Sequence, residues 1–452
     1  MINLSFQSRF EVSAEELFSW HMRPGAFERL NPPWAPATDI IRSGSLQDGS
    51  NVKLSTPIMG LKARWEVEHF GFIQNKQFCD RQLKGPFSSW THRHLFHSEN
   101  ASACTLEDII ECAPYGGKLG ELAAGWYIKS ELKRVFDYRH RILRHDIELH
   151  QQSSGKRRLR VAVSGASGLV GSNLCALLES GGHSVARLVR KRSSQIAGEI
   201  AWDPRRGAVE EKKLEGLDAV VHLAGENLAG KRWTPAFKEQ LRSSRVDGTN
   251  LIASSLARLS NPPRRFICAS AIGFYGDRQD EILSEESEAG AGFLPELAKE
   301  WEGAATPHVP TVNLRIGVVI SPLGGALKKM LLPFLLGLGG PIGHGRQWVS
   351  WIALDDLLAA IYFLLYCDLT GPVNAVSPQP VRNLNFSQSL ASVVKRPCIF
   401  PLPAAVARLA FGEMASETLL ASSRVLPNRL QAAGFRFSFP QIEKALRHVL
   451  GR

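Results

Sequence analysis

Two hydrophobic periodicities divide the chain. Over residues 1 to about 150, runs that alternate apolar and polar recur between turns: Ile2–Phe10 reads as an edge strand, and residues 51–55, 63–72, 78–83, 90–96 and 104–112 as further strands. Ser13, with Glu16 three residues on, predicts a helix start capped by Ser13. After Tyr115-Gly116-Gly117, a helical pattern carries Leu122, Ile128, Leu132, Val135, Phe136 and Ile142. A curved antiparallel sheet gripping one long helix would bury that pattern.

From residue 158 the pattern becomes strand, glycine turn, helix. Residues 159–163 form an apolar run, the chain turns at Ser164-Gly165, and a helical stretch carries Leu169, Leu174, Leu177 and Leu178. Strands are predicted at Ser184–Val189 and at residues 217–223, 266–269 and 311–320, with helices between them, which implies a parallel sheet covered on both faces. The expected fold class is α/β, a Rossmann doubly wound parallel sheet preceded by an α+β helix-grip domain. The domains expected are residues 1–152, 158–400 and a small helical domain at 401–452 that packs back through Phe435, Phe437 and Phe439. The Arg- and His-rich residues 139–158 read as the linker, with the boundary near 153.

The turn supplies the first candidate chemistry. Gly165, Gly168 and Gly171, with Ser167, Leu169 and Val170 between them, leave room for a pyrophosphate against backbone N–H groups at a helix N-terminus. Where the second strand ends, an NAD-selective site usually carries an acid for the ribose hydroxyl. This chain has Arg190, Lys191 and Arg192, which suit a 2′-phosphate and favour NADP.

Composition adds limits. The 452 residues are too many for one core, and 44% hydrophobic with 21% charged residues describes a soluble globular chain. The net charge of +11 is not concentrated in a basic tail, and Glu131, Asp137 and Asp146 interrupt the basic run at 134–144, so nucleic-acid binding is disfavoured. Seven scattered cysteines and a start without a basic segment followed by a long apolar run point to a reduced, cytoplasmic protein. The apolar stretches at 330–338 and 357–366 are too short to span a membrane. The expected partner is a small-molecule substrate or an apolar ligand, and a homo-oligomer is compatible with the sequence.

His92 and His94 share a strand face, with His97 beyond them, but the spacing brings no cysteine or carboxylate to complete a ligand set. They read as solvated or hydrogen-bonded histidines, and no metal is assigned.

The first 150 residues resemble the START-like ligand-binding superfamily, which includes polyketide cyclase and dehydrase-like proteins. That resemblance implies an apolar cavity, which Phe70, Phe72, Phe78, Trp90, Phe96, Trp126 and Phe136 would either line or fill as a core. From residue 158 onward GASGLVG, HLAGENLAGKRW, RSSRVDGT, SAIGFYGDR, FLPELAKEWE, LRIGVVIS, LLPFLLGLGGPIGHGRQWVSWI and VLPNRLQAAGFRFSFP resemble the atypical extended short-chain dehydrogenase/reductases, a group of NAD-dependent epimerase/dehydratase-like proteins. The resemblance implies NADP binding, with Arg190 and Lys191 at the 2′-phosphate. It places Leu223, Ala224 and Glu226 near adenosine and ribose, and makes Arg232, Ala269 and Arg315 further cofactor candidates.

Enzymes of that superfamily pair a tyrosine acid/base with a lysine four residues later, which lowers the phenol's pKa. None of the six tyrosines here has that lysine, and Phe293 and Leu297 stand at the two positions. Two readings follow. A redox enzyme would use Ser270 and Tyr275, with Lys299 as a displaced cation. A sensor or scaffold would bind NADP without turnover. The loop at 343–348 could close over a substrate or be a plain surface loop, with Trp351 and Asp355 beside it.

Overall fold

The computed structural model describes residues 1–58, 60–153, 155–191, 198–305 and 309–452. Arg192 lies outside them. The chain separates into two compact units: Met1–Lys156 with Glu179–Gly182 and Gly451, and Arg157–Leu178 with His183–Leu450 and Arg452.

The first unit is a seven-stranded antiparallel sheet with a long helix, the helix-grip architecture. Its strands are β1 (Ile2–Phe10), β2 (Thr38–Ser43), β3 (Asn51–Ile58), β4 (Leu61–Ile73), β5 (Gln77–Lys84), β6 (Ser89–Asn100) and β7 (Ala103–Ala113), in the order β1-β7-β6-β5-β4-β3-β2. Helices α1 (Ala14–Met22) and α2 (Ala26–Arg29) follow β1, and α3 (Gly117–Gln151) follows β7. Ser13 caps α1 as its spacing predicts, accepting from the Glu16 amide at 3.1 Å. Helix α3 lies on the sheet through Phe136, stacked on Phe6 at 4.9 Å. The buried bidentate pair of Arg29 with Asp146, at 2.7 and 2.8 Å, ties α2 to α3.

Three expectations change here. Residues 139–151 belong to α3 and not to a linker: Ile142, Leu143, Ile147 and Leu149 continue the buried stripe, so the arginines and histidines between them are helix residues. Trp126 is 73% exposed and lines no interior, as are its helical neighbours Leu119 and Leu122; Phe78, Trp90, Phe96 and Phe136 are buried. The stripe that follows Tyr115-Gly116-Gly117 therefore becomes core only from the middle of α3 onward. The third concerns the histidines: His92 is hydrogen-bonded and His97 is exposed beside Glu107 at 3.1 Å, as expected, but carboxylates do stand beside them, Asp80 and Asp108 reaching the buried His92 and half-buried His94 from the neighbouring strands.

The second unit is the Rossmann sheet. Strands β8 (Arg160–Ser164), β9 (Ser184–Val189), β10 (Glu199–Asp203), β11 (Ala208–Val209), β12 (Ala219–His222) and β13 (Arg265–Ala271) run in the order β11-β10-β9-β8-β12-β13, followed by Thr311–Ile316 and Gly371–Ala375. All neighbours pair in parallel except β10 with β11. Helices α4 (Leu169–Ser180), α5 (Pro235–Ala257) and α6 (Phe293–Ala304) are the crossovers nearest the site. Because β8 lies between β9 and β12, strand order reverses beside it, and the crevice for a ligand opens at the carboxyl ends of β8 and β12.

The C-terminal segment belongs to this unit. Asp356 accepts from the amides of Ser438 and Phe439 at 2.8 and 3.0 Å, and Phe435 packs against Phe363 and Phe437. Among the described residues no helix is long and apolar enough to cross a membrane.

Candidate active site

The glycine turn sits at that crevice, and its geometry requires glycine at two positions. Gly165 has φ +67°, and a Cβ there would stand 2.9 Å from the Leu223 carbonyl and 3.0 Å from the Ala224 nitrogen. A Cβ on Gly171 would meet the Gly165 oxygen at 2.2 Å. Gly168 closes the turn, its amide donating to Gly165 at 2.9 Å, and α4 begins at the next residue. Ser167 and Gly168 are exposed, whereas Leu169 and Val170 are half-buried. This is a cradle that side chains would fill, in front of a helix N-terminus, so the residues present fit a dinucleotide.

Beneath the turn, Ser164 joins β8 to β12. Its Oγ lies 2.6 Å from His222 Nδ1 and accepts from the amides of Leu223 at 3.1 Å and Ala224 at 3.3 Å. Burial pushes His222 down to about 4. The loop that follows is fixed from α5. Ser244 Oγ accepts from the Glu226 amide at 3.1 Å, and Arg245 donates to the Glu226 carbonyl at 2.9 Å. Burial lowers Arg245 to about 10, against the nearby Glu226 carboxylate. Gly165, Leu223, Ala224 and Glu226 are thus brought to one edge of the crevice. Arg190 and Lys191 follow β9 and are exposed; Arg232 is exposed near Gly412.

Ser270, Tyr275 and Arg315 converge at the ends of β13 and of strand Thr311–Ile316. Arg315 binds both oxygens of Glu302 at 2.8 Å and donates through Nη1 to the Tyr275 hydroxyl at 2.9 Å. Tyr275 in turn donates to Asn374 Oδ1 at 2.7 Å, and Ser270 donates to Glu302 at 2.6 Å. Tyr275 is fully buried, and that burial raises its phenol above the ordinary value in spite of Arg315. A tyrosine moving protons at neutral pH needs the opposite shift. Ala269 packs into the sheet core.

Phe293 and Leu297 stand in an apolar cluster with Trp233, Phe237, Leu241 and Met414, so the two positions on α6 carry no acid/base pair. Lys299 is exposed. Glu417 caps that helix, accepting from the amides of Phe293 at 2.9 Å and Leu294 at 2.8 Å. Gln347 anchors the 343–348 loop through the carbonyls of Ile342 and Leu419, each at 3.0 Å. Sequence reasoning missed Glu302, Asn374, Ser164, His222 and Arg245. Glu302 had a signal, since it closes the FLPELAKEWE stretch one helical turn past Lys299.

Residues 161–374 match the NAD dependent epimerase/dehydratase family, and residues 402–449 match a domain of unknown function, DUF1731. An epimerase family protein of Mycobacterium bovis is 41% identical over 297 residues, 65% of this chain and 98% of that protein. The chain belongs to the epimerase family. Among solved structures, a nucleoside-diphosphate sugar epimerase from Corynebacterium glutamicum is similar over 99% of this chain and 90% of its own, with 33% identity and a TM-score of 0.81. The human epimerase family protein SDR39U1, solved with NADPH, covers 65% of this chain and 99% of its own, with 34% identity and a TM-score of 0.61. The likeness to the first structure thus takes in the antiparallel unit as well as the Rossmann unit.

Proposed function

We propose that the Rossmann unit binds NADP(H) and prefers it to NAD(H). The observation that carries this is the pairing of a side-chain-free turn at Gly165 and Gly171 with two cations, Arg190 and Lys191, directly after β9. The relative solved with NADPH supports the same choice. The amides of the turn would hold the pyrophosphate, Arg190 and Lys191 the 2′-phosphate, and the loop at Leu223, Ala224 and Glu226 the adenosine and ribose side. When bound, the cofactor supplies a hydride.

Around it, this chain's residues orient more than they react. Ser270 and Tyr275 commit their protons to Glu302 and Asn374, so their role in the epimerase/dehydratase-like oxidoreductase reading is to hold Arg315 and the strand ends in place. The burial of Tyr275 and the apolar Phe293 and Leu297 favour the second reading, a sensor or scaffold that binds the cofactor without turnover. In that case the antiparallel unit, with its aromatic clusters, is the START-like module that takes an apolar ligand. Fluorescence titration with NADPH and NADH tests the cofactor assignment; equal affinity for the two removes it. NADPH oxidation across ketones and nucleotide sugars separates the readings, since turnover with any of them excludes the sensor.

A further inference from the structure

In the antiparallel unit, β6 places His92 and His94 on one face, two residues apart. Antiparallel registers then set Asp80 of β5 directly opposite His92, and Asp108 of β7 directly opposite His94. Three adjacent strands thus bring two imidazoles and two carboxylates to one patch. His92 and Asp108 are nearly inaccessible, and His94 and Asp80 are 12% and 15% exposed. One ligand atom each from Asp80, His92 and His94 lies within 4.8 Å of the other two. Asp108 Oδ1 is 2.6 Å from His94 Nδ1 and 3.2 Å from His92 Nε2.

His94 Nδ1 is the telling atom. It is buried and, among the described residues, has no partner that meets hydrogen-bond geometry, while the Asp108 carboxylate oxygen stands 2.6 Å away as an ion-pair neighbour. A nitrogen and a carboxylate oxygen this close in a buried site need a positive charge shared by the two: a proton at the present spacing, or a metal ion once the donors draw apart.

We propose that Asp80, His92 and His94, with Asp108 as fourth donor, bind a divalent first-row transition ion such as Zn²⁺. Donors ~2.0–2.2 Å from a tetrahedral ion stand roughly 3.3–3.6 Å apart, so on binding an ion the Asp80, His92 and His94 atoms, which lie within 4.8 Å of one another, settle to that spacing while Asp108 draws back from its 2.6 Å approach to His94. An outer layer already orients the carboxylates. Trp90 Nε1 donates to Asp80 Oδ1 at 3.2 Å, and His140 Nε2 lies 2.7 Å from Asp108 Oδ2 while its Nδ1 lies 2.9 Å from Ser8 Oγ. Mixed imidazole and carboxylate donors without sulfur suit zinc, manganese or ferrous iron. The competing arrangement has a proton in place of the ion, held by His92 between Asp80 at 3.1 Å and Asp108 at 3.2 Å.

The test is chelator treatment of the full chain followed by titration with Zn²⁺ and Co²⁺. We expect one ion per chain, visible absorption bands with Co²⁺, and at least a tenfold loss of affinity in His94→Ala and Asp80→Asn, while His97→Ala binds as the parent does. No uptake by the folded, stripped chain would establish the proton-shared cluster instead, and uptake indifferent to both variants would place the ion elsewhere; either result overturns the proposal. Should the variants not fold, X-ray absorption of the parent chain with one equivalent of Zn²⁺ decides: two imidazoles and only nitrogen or oxygen neighbours support the site, and any sulfur in the shell refutes it.

Discussion

Glu302 grips Arg315 side-on, Oε1 to Nε and Oε2 to Nη2, both at 2.8 Å and both largely buried. The pair joins the end of α6 to strand Thr311–Ile316, and Ser270 and Tyr275 attach to it from β13 and the turn after it. Breaking a buried pair by removing one partner leaves the other charge uncompensated. Glu302→Ala is therefore expected to destabilise the Rossmann unit by about 3–5 kcal/mol, read from the urea midpoint, with Ser270→Ala costing only about 1 kcal/mol. If Glu302→Ala unfolds at the parental midpoint, the network does not organise the strand ends.

Arg190 gives a prediction about selectivity. A charge-assisted contact with phosphate is worth about 1.5–3 kcal/mol, so Arg190→Ala should weaken NADPH binding by roughly 10- to 100-fold. NADH, which lacks the 2′-phosphate, should bind as it does to the parent. Paired fluorescence titrations check this, and an equal loss for both cofactors would mean that Arg190 acts on the fold of the site.

Gly171→Ala probes the cradle. The added methyl would lie 2.2 Å from the Gly165 oxygen, a backbone atom that cannot swing aside as a side chain could. The turn must open to admit it, so NADPH affinity should fall by more than tenfold while the circular dichroism of the chain stays unchanged. Gly207→Ala serves as the comparison: its φ of +61° carries the usual backbone cost, but a Cβ there meets nothing within 4 Å, so cofactor affinity should be kept.

What was legible in the sequence was local. Strand Ser184–Val189 falls where its apolar run lies, Ser13 caps α1, and the glycine turn precedes α4, because each depends on residues a few positions apart. Pairings that need the register of a sheet were not legible. Asp80 meets His92 only because β5 and β6 align that way, and Glu417 caps α6 from 124 residues downstream. The linker was misplaced for the related reason that a polar, basic stretch looks like a tether until Ile142, Leu143 and Ile147 are seen to be buried in α3. Tyr275 could be named from its motif, but its burial depends on Asn374 and Arg315, which sequence spacing does not connect.

His222 yields a pH dependence whose sign follows from its burial. Its pKa is about 4 in the folded chain, against an ordinary value of 6.5, because burial disfavours the charged imidazole. Between those values the unfolded chain takes up the proton and the folded chain does not, so stability falls as the pH drops from about 6.5 towards 4 and is unaffected above it. The slope contributed is at most about 1.4 kcal/mol per pH unit, or ~3 kcal/mol over the window. The buried His21, at about 4, acts in the same sense, so the informative quantity is the difference between the parent and His222→Gln. Urea midpoints measured from pH 7.5 to 4.5 should show a shallower decline in the variant, which keeps a polar group beside Ser164 but nothing to titrate. Parallel declines would show that His222 does not stay neutral in the folded chain, and that the Ser164 contact beneath the glycine turn survives its protonation.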